Sequence, residues 1–222
     1  QLWDSITSGR VWHGELQNKK KNGEYYWEDV LISPLLNGNG KITHFVSVKE
    51  DITERKLAEK EIIEKSQELE ALFKISSHLR TAQTAQEMIP VVLEQMQGTF
   101  NSDANALILL ETDRIHFKYI LGSGLLGGNT GLEFESKNSI SGRIMQTLEP
   151  YITLDFTNDP FRSPSIKNTQ NIGPTVIVPL QSEKEFIGTL LCARAKDSAL
   201  GPFTAAEIKL LRAIGEMVGN AL

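Results

Sequence analysis

A glycine-rich stretch is the part of the sequence whose residue types and spacing most directly suggest chemistry. Residues 122–127 (GSGLLG) match the pattern G-x-G-x-x-G and follow a predicted strand. In dinucleotide-binding proteins such glycines open a helix whose first N–H groups bind phosphate. Here the third glycine is followed by residues 128–131 (GNTG), where no helix is expected to start. We therefore interpret the stretch as a flexible loop and not as a nucleotide site.

Histidine, cysteine and carboxylate residues show no spacing typical of a metal site or a catalytic site. His13, His44 and His116 are isolated in the sequence and are interpreted as structural residues. Cys192 lies in the apolar residues 190–193 (LLCA), which predicts a buried, unreactive thiol. No catalytic triad or pair of carboxylates stands out, so we expect no catalytic residue and no bound metal.

The composition indicates a globular protein of the cytoplasm. The chain has 222 residues, 40% of them hydrophobic, and a net charge of −5, which excludes a broad basic surface for nucleic acid or anionic lipid. One cysteine excludes an intrachain disulfide and fits a reducing compartment. No run of about 18 apolar residues predicts a membrane span. Both ends read as interrupted elements, so we expect a piece of a longer protein.

The first 52 residues predict a three-stranded antiparallel meander that follows the tail of a helix. Tight turns are expected at Asn22-Gly23 and at residues 37–40 (NGNG), because Asn and Gly tolerate positive φ. Three strands cannot bury both faces of their sheet, so we expect a neighbour to cover one face. The strands are predicted over residues 11–17, 24–36 and 41–49.

A long charged helix is predicted from Thr53, the expected N-cap, to about Arg80. Reading Ile62 and Leu69 as a positions of a heptad gives a weak apolar seam. We expect residues 53–68 to form a helical linker that pairs with a second copy, and the later part to pack on its own domain. The alternative is a single, unpaired amphipathic helix whose later half packs on its own domain.

Residues 69–222 predict a second domain with an antiparallel sheet and flanking helices, so the fold class is α+β. Thr204 and Glu207 form a Ser/Thr-x-x-Glu capping box that should start the last helix. Helices are predicted over residues 86–97, 141–148 and after 204, and strands over residues 104–110, 115–121, 175–180 and 186–194.

The N-terminal segment resembles the C-terminal half of a PAS domain over about residues 1–56. The carriers are residues 21–23 (KNG), the aromatic strand through Trp27, Ser33-Pro34 and, above all, residues 51–56 (DITERK). The resemblance implies a partial sensor module, residues 1–52, that leads into a helix. The segment lacks the first two strands and the helices that wall the family's cofactor cavity, so no flavin or haem site is carried over. The cofactor of the chain is unknown.

Residues from about 66 to 222 resemble a GAF domain. The resemblance implies an antiparallel sheet with helices behind it, a ligand pocket in front of it, and dimers held by terminal helices. Its carriers, in chain order, are residues 140–144 (ISGRI), 149–152 (EPYI), 155–161 (DFTNDPF), 178–180 (VPL), 187–190 (IGTL) and the last helix.

Residues 77–81 (SHLRT) resemble the phosphoacceptor box Ser-His-Glu-Leu-Arg-Thr-Pro of sensor histidine kinases. The acidic residue after His78 and the final proline are absent, and the chain has no ATP-binding motif. We interpret His78 as a solvent-facing or interface residue, and phosphorylation of His78 as a competing hypothesis.

The GAF resemblance places the candidate ligand site between residues 134–161 and the strand that follows. Arg143 is expected to bind an anionic group and Asp155 to accept hydrogen bonds from a ligand. The alternative is that the aromatic residues fill the core and Asp155 caps the next turn. The cyclic-nucleotide signature of some family members, Asn-Lys-x-x-x-Phe-x-x-x-Asp-Glu, is absent. The expected apolar wall consists of Phe134, Ile144, Tyr151, Phe156 and Phe161.

These features predict a non-catalytic sensory fragment of a signal-transduction protein of the sensor histidine kinase or cyclic-dinucleotide enzyme type. Its GAF domain would sense a small ligand and relay the signal through paired helices. We expect a homodimer through the linker and terminal helices, and neither a nucleic-acid nor a membrane partner. The alternative is a ligand-free structural dimerisation module.

Overall fold

The computed structural model describes residues 2–81 and 84–222, without the side chains of residues 68, 75, 76 and 78–81. The chain divides into two compact units, Gln1–Gln67 and Glu68–Leu222. Among the described residues, no helix is long and apolar enough to cross a membrane. The predicted domain limits at residues 52 and 68 stay predictions.

The first unit contains the predicted meander, an antiparallel sheet in the order β1-β2-β3. At the first turn Gly23 has a φ of +92°, a value that glycine adopts without strain. One face of the sheet leaves Leu31, Leu35, Val46 and Val48 exposed, as expected for three strands alone. The elements are α1 (Leu2–Thr7), β1 (Trp12–Lys19), β2 (Tyr25–Leu36), β3 (Ile42–Asp51) and the start of α2 (Thr53–Thr81).

The junction between β3 and α2 is fixed by the backbone of Trp27 in the central strand. The Ile52 N–H donates to the Trp27 carbonyl at 2.9 Å, and the Thr53 hydroxyl accepts from the Trp27 N–H at 2.9 Å. The same hydroxyl donates to Asp51 at 2.6 Å. The expectation that Thr53 is the N-cap is therefore wrong in detail: Thr53 is already helical, and its hydroxyl serves the end of the sheet.

Charged residues of the first turns of α2 add a second attachment. Arg55 donates to Glu15 of β1 at 3.0 Å, and Lys56 pairs with the same carboxylate. The Lys56 ammonium also lies 5.7 Å from the ring centroid of Trp27. Each residue of the DITERK segment named here thus has a contact that holds the helix start on the sheet.

The second unit is a six-stranded sheet in the order β6-β5-β4-β9-β8-β7, with every neighbouring pair antiparallel. The short edge strands β6 and β7 are additions to the predicted elements. The elements are α3 (Ala85–Phe100), β4 (Ala104–Leu110), β5 (His116–Gly124), β6 (Glu133–Glu135), α4 (Ile140–Thr147), β7 (Tyr151–Thr153), β8 (Ile172–Ser182), β9 (Glu185–Ala195) and α5 (Ala205–Ala221).

The glycine-rich stretch is not a phosphate loop. β5 continues to Gly124, and only a three-residue 3-10 turn, Gly127–Asn129, follows. Gly124 has a φ of +57°, and a Cβ there would lie 2.0 Å from the Asp103 carbonyl oxygen. The expected flexible loop is thus half strand, and Gly124 is required by close packing of the chain.

Two separate hydrophobic cores lie on opposite faces of this sheet. The helix-side core contains the inward residues of α3 and α5, and the loop-side core is closed by α4 and the segments around Phe134 and Phe156. Consecutive strand residues alternate between them. Val176, Val178, Leu180, Leu190 and Cys192 enter the helix-side core, whereas Ile177, Leu191 and Ala193 enter the loop-side core.

Cys192 is buried and unpaired, as predicted, and burial raises the pKa of its thiol to about 12. The end of α2 also contributes to the helix-side core, since Ala71 and Leu72 pack against it. Leu69 and Phe73 of the same helix remain 67% and 68% exposed. One side of this helical segment is therefore apolar and uncovered by described residues.

A buried arginine joins the helices of the helix-side core to the sheet. Arg194 of β9 is 3% exposed, and its guanidinium donates to the carbonyls of Phe100 at 3.0 Å and of Gly201 and Pro202 at 3.2 Å. It also pairs with Glu207 at 2.5 Å. Glu207 is the capping-box acid of α5, so the predicted cap is present and anchored to the sheet.

Replacing Arg194 by Leu should lower the free energy of unfolding by about 3 kcal/mol, because a partly buried carboxylate and three carbonyls lose their donor. Urea unfolding followed by circular dichroism measures the change. Arg212→Leu is the matched control: its exposed pair with Glu149 should contribute less than about 1 kcal/mol. Equal effects of the two substitutions would contradict this role of Arg194.

Ionisation of Glu207 should contribute to the pH dependence of the free energy of unfolding. Burial alone would raise the pKa of Glu207, but the Thr204 N–H and Arg194 hold it below its usual 4.5. A lowered folded-state pKa gives stability that is complete above about pH 4.5 and is lost as the pH falls. Glu207→Gln should therefore flatten the acid limb of a stability-against-pH curve, and an unchanged limb would contradict this assignment.

Candidate functional site

A small cavity of about 10 Å³ lies in the loop-side core, between the sheet and the chain that crosses in front of it. This volume is close to the smallest space that holds one water molecule. Its lining contains no carboxylate. The lining residues are Ile108, Tyr119, Phe134, Ser139, Ile140, Ser141, Phe156, Phe161, Arg162, Ser163, Ile166, Ile177 and Leu191.

The Tyr119 hydroxyl is the most unusual group of this cavity. Tyr119 is fully buried, and its hydroxyl has no hydrogen-bond partner in the described part of the protein. Burial raises the pKa of Tyr119 well above its ordinary value, while the positive charge of Arg162 acts in the opposite direction. The hydroxyl therefore stays protonated at neutral pH, and its proton has no acceptor among the described residues.

Arg162 is the only charged residue of the lining. Its Nε donates to the Thr157 carbonyl at 3.0 Å, and its Nη1 approaches the carbonyls of Ser163 and Ile166 at 3.4 Å. No described residue accepts a hydrogen bond from its Nη2. The Arg162 side chain thus holds the wall of the cavity, and the two N–H groups of its Nη2 have no acceptor among the described residues.

Residues 156–167, here called the wall segment, are fixed at several points by polar side chains. The Thr157 hydroxyl donates to the Ile172 carbonyl at 2.8 Å. Buried Asn129 bonds both the N–H and the carbonyl of Lys167, at 2.8 and 3.0 Å. The wall segment is therefore held by hydrogen bonds to the sheet and to the 3-10 turn at Gly127–Asn129, in addition to its apolar contacts.

Three of the predicted site residues line the cavity: Phe134, Phe156 and Phe161. Ile144 is buried in the loop-side core but is not among the lining residues, and Tyr151 packs at the edge of that core. The Tyr151 hydroxyl donates to Asp159 of the wall segment at 3.1 Å. Ile144 and Tyr151 therefore lie next to the cavity without lining it.

The two charged residues predicted for the site lie outside the cavity. Arg143 is exposed on α4, and its guanidinium carbon lies 3.9 Å from the ring centroid of Phe161. Asp155 accepts from the Asn158 N–H at 3.4 Å and pairs with Lys196 at 3.1 Å, which is the capping role considered as the alternative. A direct ligand contact of either residue stays a prediction.

Sequence reasoning missed Tyr119 and Arg162. Tyr119 lies in β5, where a strand with alternating burial gave no sign that one inward residue carried an unpartnered hydroxyl. Arg162 directly follows the DFTNDPF segment, so the motif ended one residue too early. Two signals were available in the sequence: Tyr119 occupies an inward position of a strand, and Arg162 is adjacent to the motif.

Other parts of the described structure offer weaker evidence for a functional site. A surface depression of about 640 Å³ is open, and the exposed Arg114–Glu185 pair, 2.6 Å apart, borders it. The described residues contain no group of three histidine, cysteine or acidic side chains placed to hold a metal. The side chain of His78 lies outside the described residues, so its hypothesis stays untested.

Comparison with known proteins identifies the family. Residues 82–222, more than half of the chain, match the GAF domain family. The chain belongs to the GAF domain family. Residues 1–54 match the PAS domain family, so a PAS segment precedes the GAF domain.

The fold agrees with the GAF domain of a phosphoenolpyruvate-protein phosphotransferase from Coxiella burnetii. The TM-score is 0.61 at 15% identity, over 69% of this chain and 91% of that one.

Curated relatives are signalling and regulatory proteins. The bacterioopsin transcriptional activator of Halobacterium salinarum is 31% identical over 72 residues, which cover 32% of this chain and 11% of that protein. A blue-light-activated histidine kinase of Brucella ovis is 46% identical over 39 residues, 18% of this chain and 8% of that protein. The matches thus span about a tenth of each relative's length.

Replacing Tyr119 by Phe should leave the GAF domain as stable or raise its free energy of unfolding by about 1 kcal/mol, because a buried hydroxyl without a protein partner is removed. Tyr151→Phe is the matched control, since it removes a hydroxyl that is bonded to Asp159 and should cost about 1 kcal/mol. Urea unfolding of both variants tests this. A clear loss of stability in Tyr119→Phe would show that the hydroxyl has a partner.

Proposed function

We propose that this chain is a non-catalytic sensory fragment of a signal-transduction protein. Its GAF domain senses a small ligand in the loop-side cavity and passes the change to α2 and α5, which pair with a second copy. The observation that carries the proposal is the cavity with its buried, unpartnered Tyr119 hydroxyl, next to the half-buried Arg162 of the lining. Natural proteins rarely keep a buried hydroxyl without a partner.

The sheet offers a short path from the cavity to the helices. Ile177 and Leu191 line the cavity, and their neighbours Val178 and Leu190 enter the helix-side core. A displacement of these strands therefore reaches the packing of α5 on β8. A ligand shifts the output only by the difference between its affinities for the two arrangements.

The cavity is much smaller than an ordinary ligand site. Ordinary ligand sites enclose about 300–1,000 Å³, whereas this one encloses about 10 Å³. Ligand entry therefore requires the wall segment to move outward, which lowers the apparent affinity by the fraction of open molecules. The alternative function, a ligand-free dimerisation module, draws its support from the same tight packing.

The relatives support a sensor as the parent protein. One matched relative is a blue-light-activated histidine kinase, and another is an aerotaxis receptor. We propose a parent of the sensor histidine kinase or cyclic-dinucleotide enzyme type, with the catalytic step carried out by residues beyond this chain. No reaction is assigned to residues of this chain.

A thermal-denaturation screen of small metabolites tests ligand sensing. A compound present at about 100 times its Kd should stabilise the GAF domain by about 2.7 kcal/mol. Circular dichroism is the suitable readout, since all three tryptophans, Trp3, Trp12 and Trp27, lie in the first unit. Chemical-shift mapping must place the compound at Phe134 and Phe156. If no compound stabilises the domain, the dimerisation module becomes the better account.

Pairing through α2 is tested by charge substitution on its exposed apolar side. We expect the double variant Ile62→Asp and Leu69→Asp, at the two exposed a positions, to shift the chain from dimer to monomer in sedimentation equilibrium, because buried unpaired charges are costly. Lys60→Asp, on an exposed position of the same helix, is the control and should leave the dimer intact. A wild-type chain that is monomeric at high concentration would contradict the pairing.

A further inference from the structure

The polar groups of the cavity define the chemistry of what it can hold. Tyr119 offers one buried hydroxyl, and the half-buried Arg162 offers a positive charge and the N–H groups of its Nη2, which bond no described residue. Two of the three serine hydroxyls of the lining are engaged: Ser139 bonds Ser136 and Gly142, and Ser141 pairs with Thr189 at 3.1 Å. Arg162 can only donate hydrogen bonds, whereas the Tyr119 hydroxyl can both donate and accept one.

The charges of the lining favour an anionic ligand over a cationic one. A cationic ligand would place a second positive charge beside Arg162, with no carboxylate in the lining to compensate. An anion would meet the guanidinium and the Tyr119 hydroxyl and would be paired and hydrogen-bonded on entry. The remaining lining is aromatic and branched aliphatic, which suits a small apolar body.

We propose that the ligand of the GAF cavity is a small carboxylate with a short apolar body, whose anionic group accepts from Tyr119 and Arg162. This inference rests on the proposed sensor function and specifies the ligand class. Arg162 then has two tasks. It anchors the wall segment through the Thr157, Ser163 and Ile166 carbonyls, and a bound carboxylate competes for that guanidinium. Ligand binding and movement of the wall segment are thereby coupled at one side chain.

Three probes with the same isobutyl body separate the possibilities: 3-methylbutanoate, 3-methylbutylamine and 3-methylbutan-1-ol. Titration of the complete chain by calorimetry or NMR should show binding of the carboxylate, weaker binding of the alcohol and none of the amine. Tyr119→Phe should weaken carboxylate binding about 10- to 100-fold, the effect of one hydrogen bond to a charged group. Tyr151→Phe, whose hydroxyl lies outside the cavity, should change it less than about twofold.

The outcomes distinguish the ligand class from the sensor function. If the amine binds as well as the carboxylate, or if Tyr119→Phe leaves carboxylate binding unchanged, the ligand class is wrong and sensing stands. If the carboxylate does not bind but the metabolite screen finds another compound in the cavity, the class is again wrong. If neither experiment finds a ligand and a crystal structure shows only a water on the Tyr119 hydroxyl, both proposals are overturned.

Discussion

The alternation of side chains along β4, β8 and β9 is the constraint on which the GAF domain depends. These strands are buried on both faces, and consecutive residues such as Val176, Ile177 and Val178 enter opposite cores. A slip of one residue would exchange the two sets and mismatch both cores at once. The same alternation joins the cores mechanically, since a strand cannot shift toward one core without moving its neighbours in the other.

The two cores are finished by different interactions. On the helix side a buried arginine, Arg194, satisfies loop carbonyls and the capping acid of α5, so the helix start is fixed to the sheet. On the loop side another arginine, Arg162, holds only one segment and reaches two of its carbonyls at 3.4 Å. The loop side has further anchors of its own, since Thr157 bonds Ile172 and Asn129 bonds both backbone groups of Lys167.

The sequence predicted the long elements well and the site only in part. Periodic apolar patterns and the Thr204–Glu207 box identified the main strands and the last helix, but β6 and β7, of three residues each, are too short to show a period. Arg143 attracted attention because of its motif, yet helix geometry turns it outward while Ile140 and Ile144 face the core. The donors of the cavity come from Tyr119 and Arg162, which only the folded sheet brings together.

Hydrogen exchange of the wall segment, residues 156–167, tests the central claim most directly. Exchange is measured on the complete chain with and without saturating 3-methylbutanoate. The account predicts that wall-segment amides exchange faster than those of β8 and β9 before the ligand is added. It also predicts that the ligand changes exchange both in the wall segment and at the start of α5. Identical exchange in both samples although calorimetry shows that 3-methylbutanoate binds, or changes confined to regions outside the GAF domain, would contradict it.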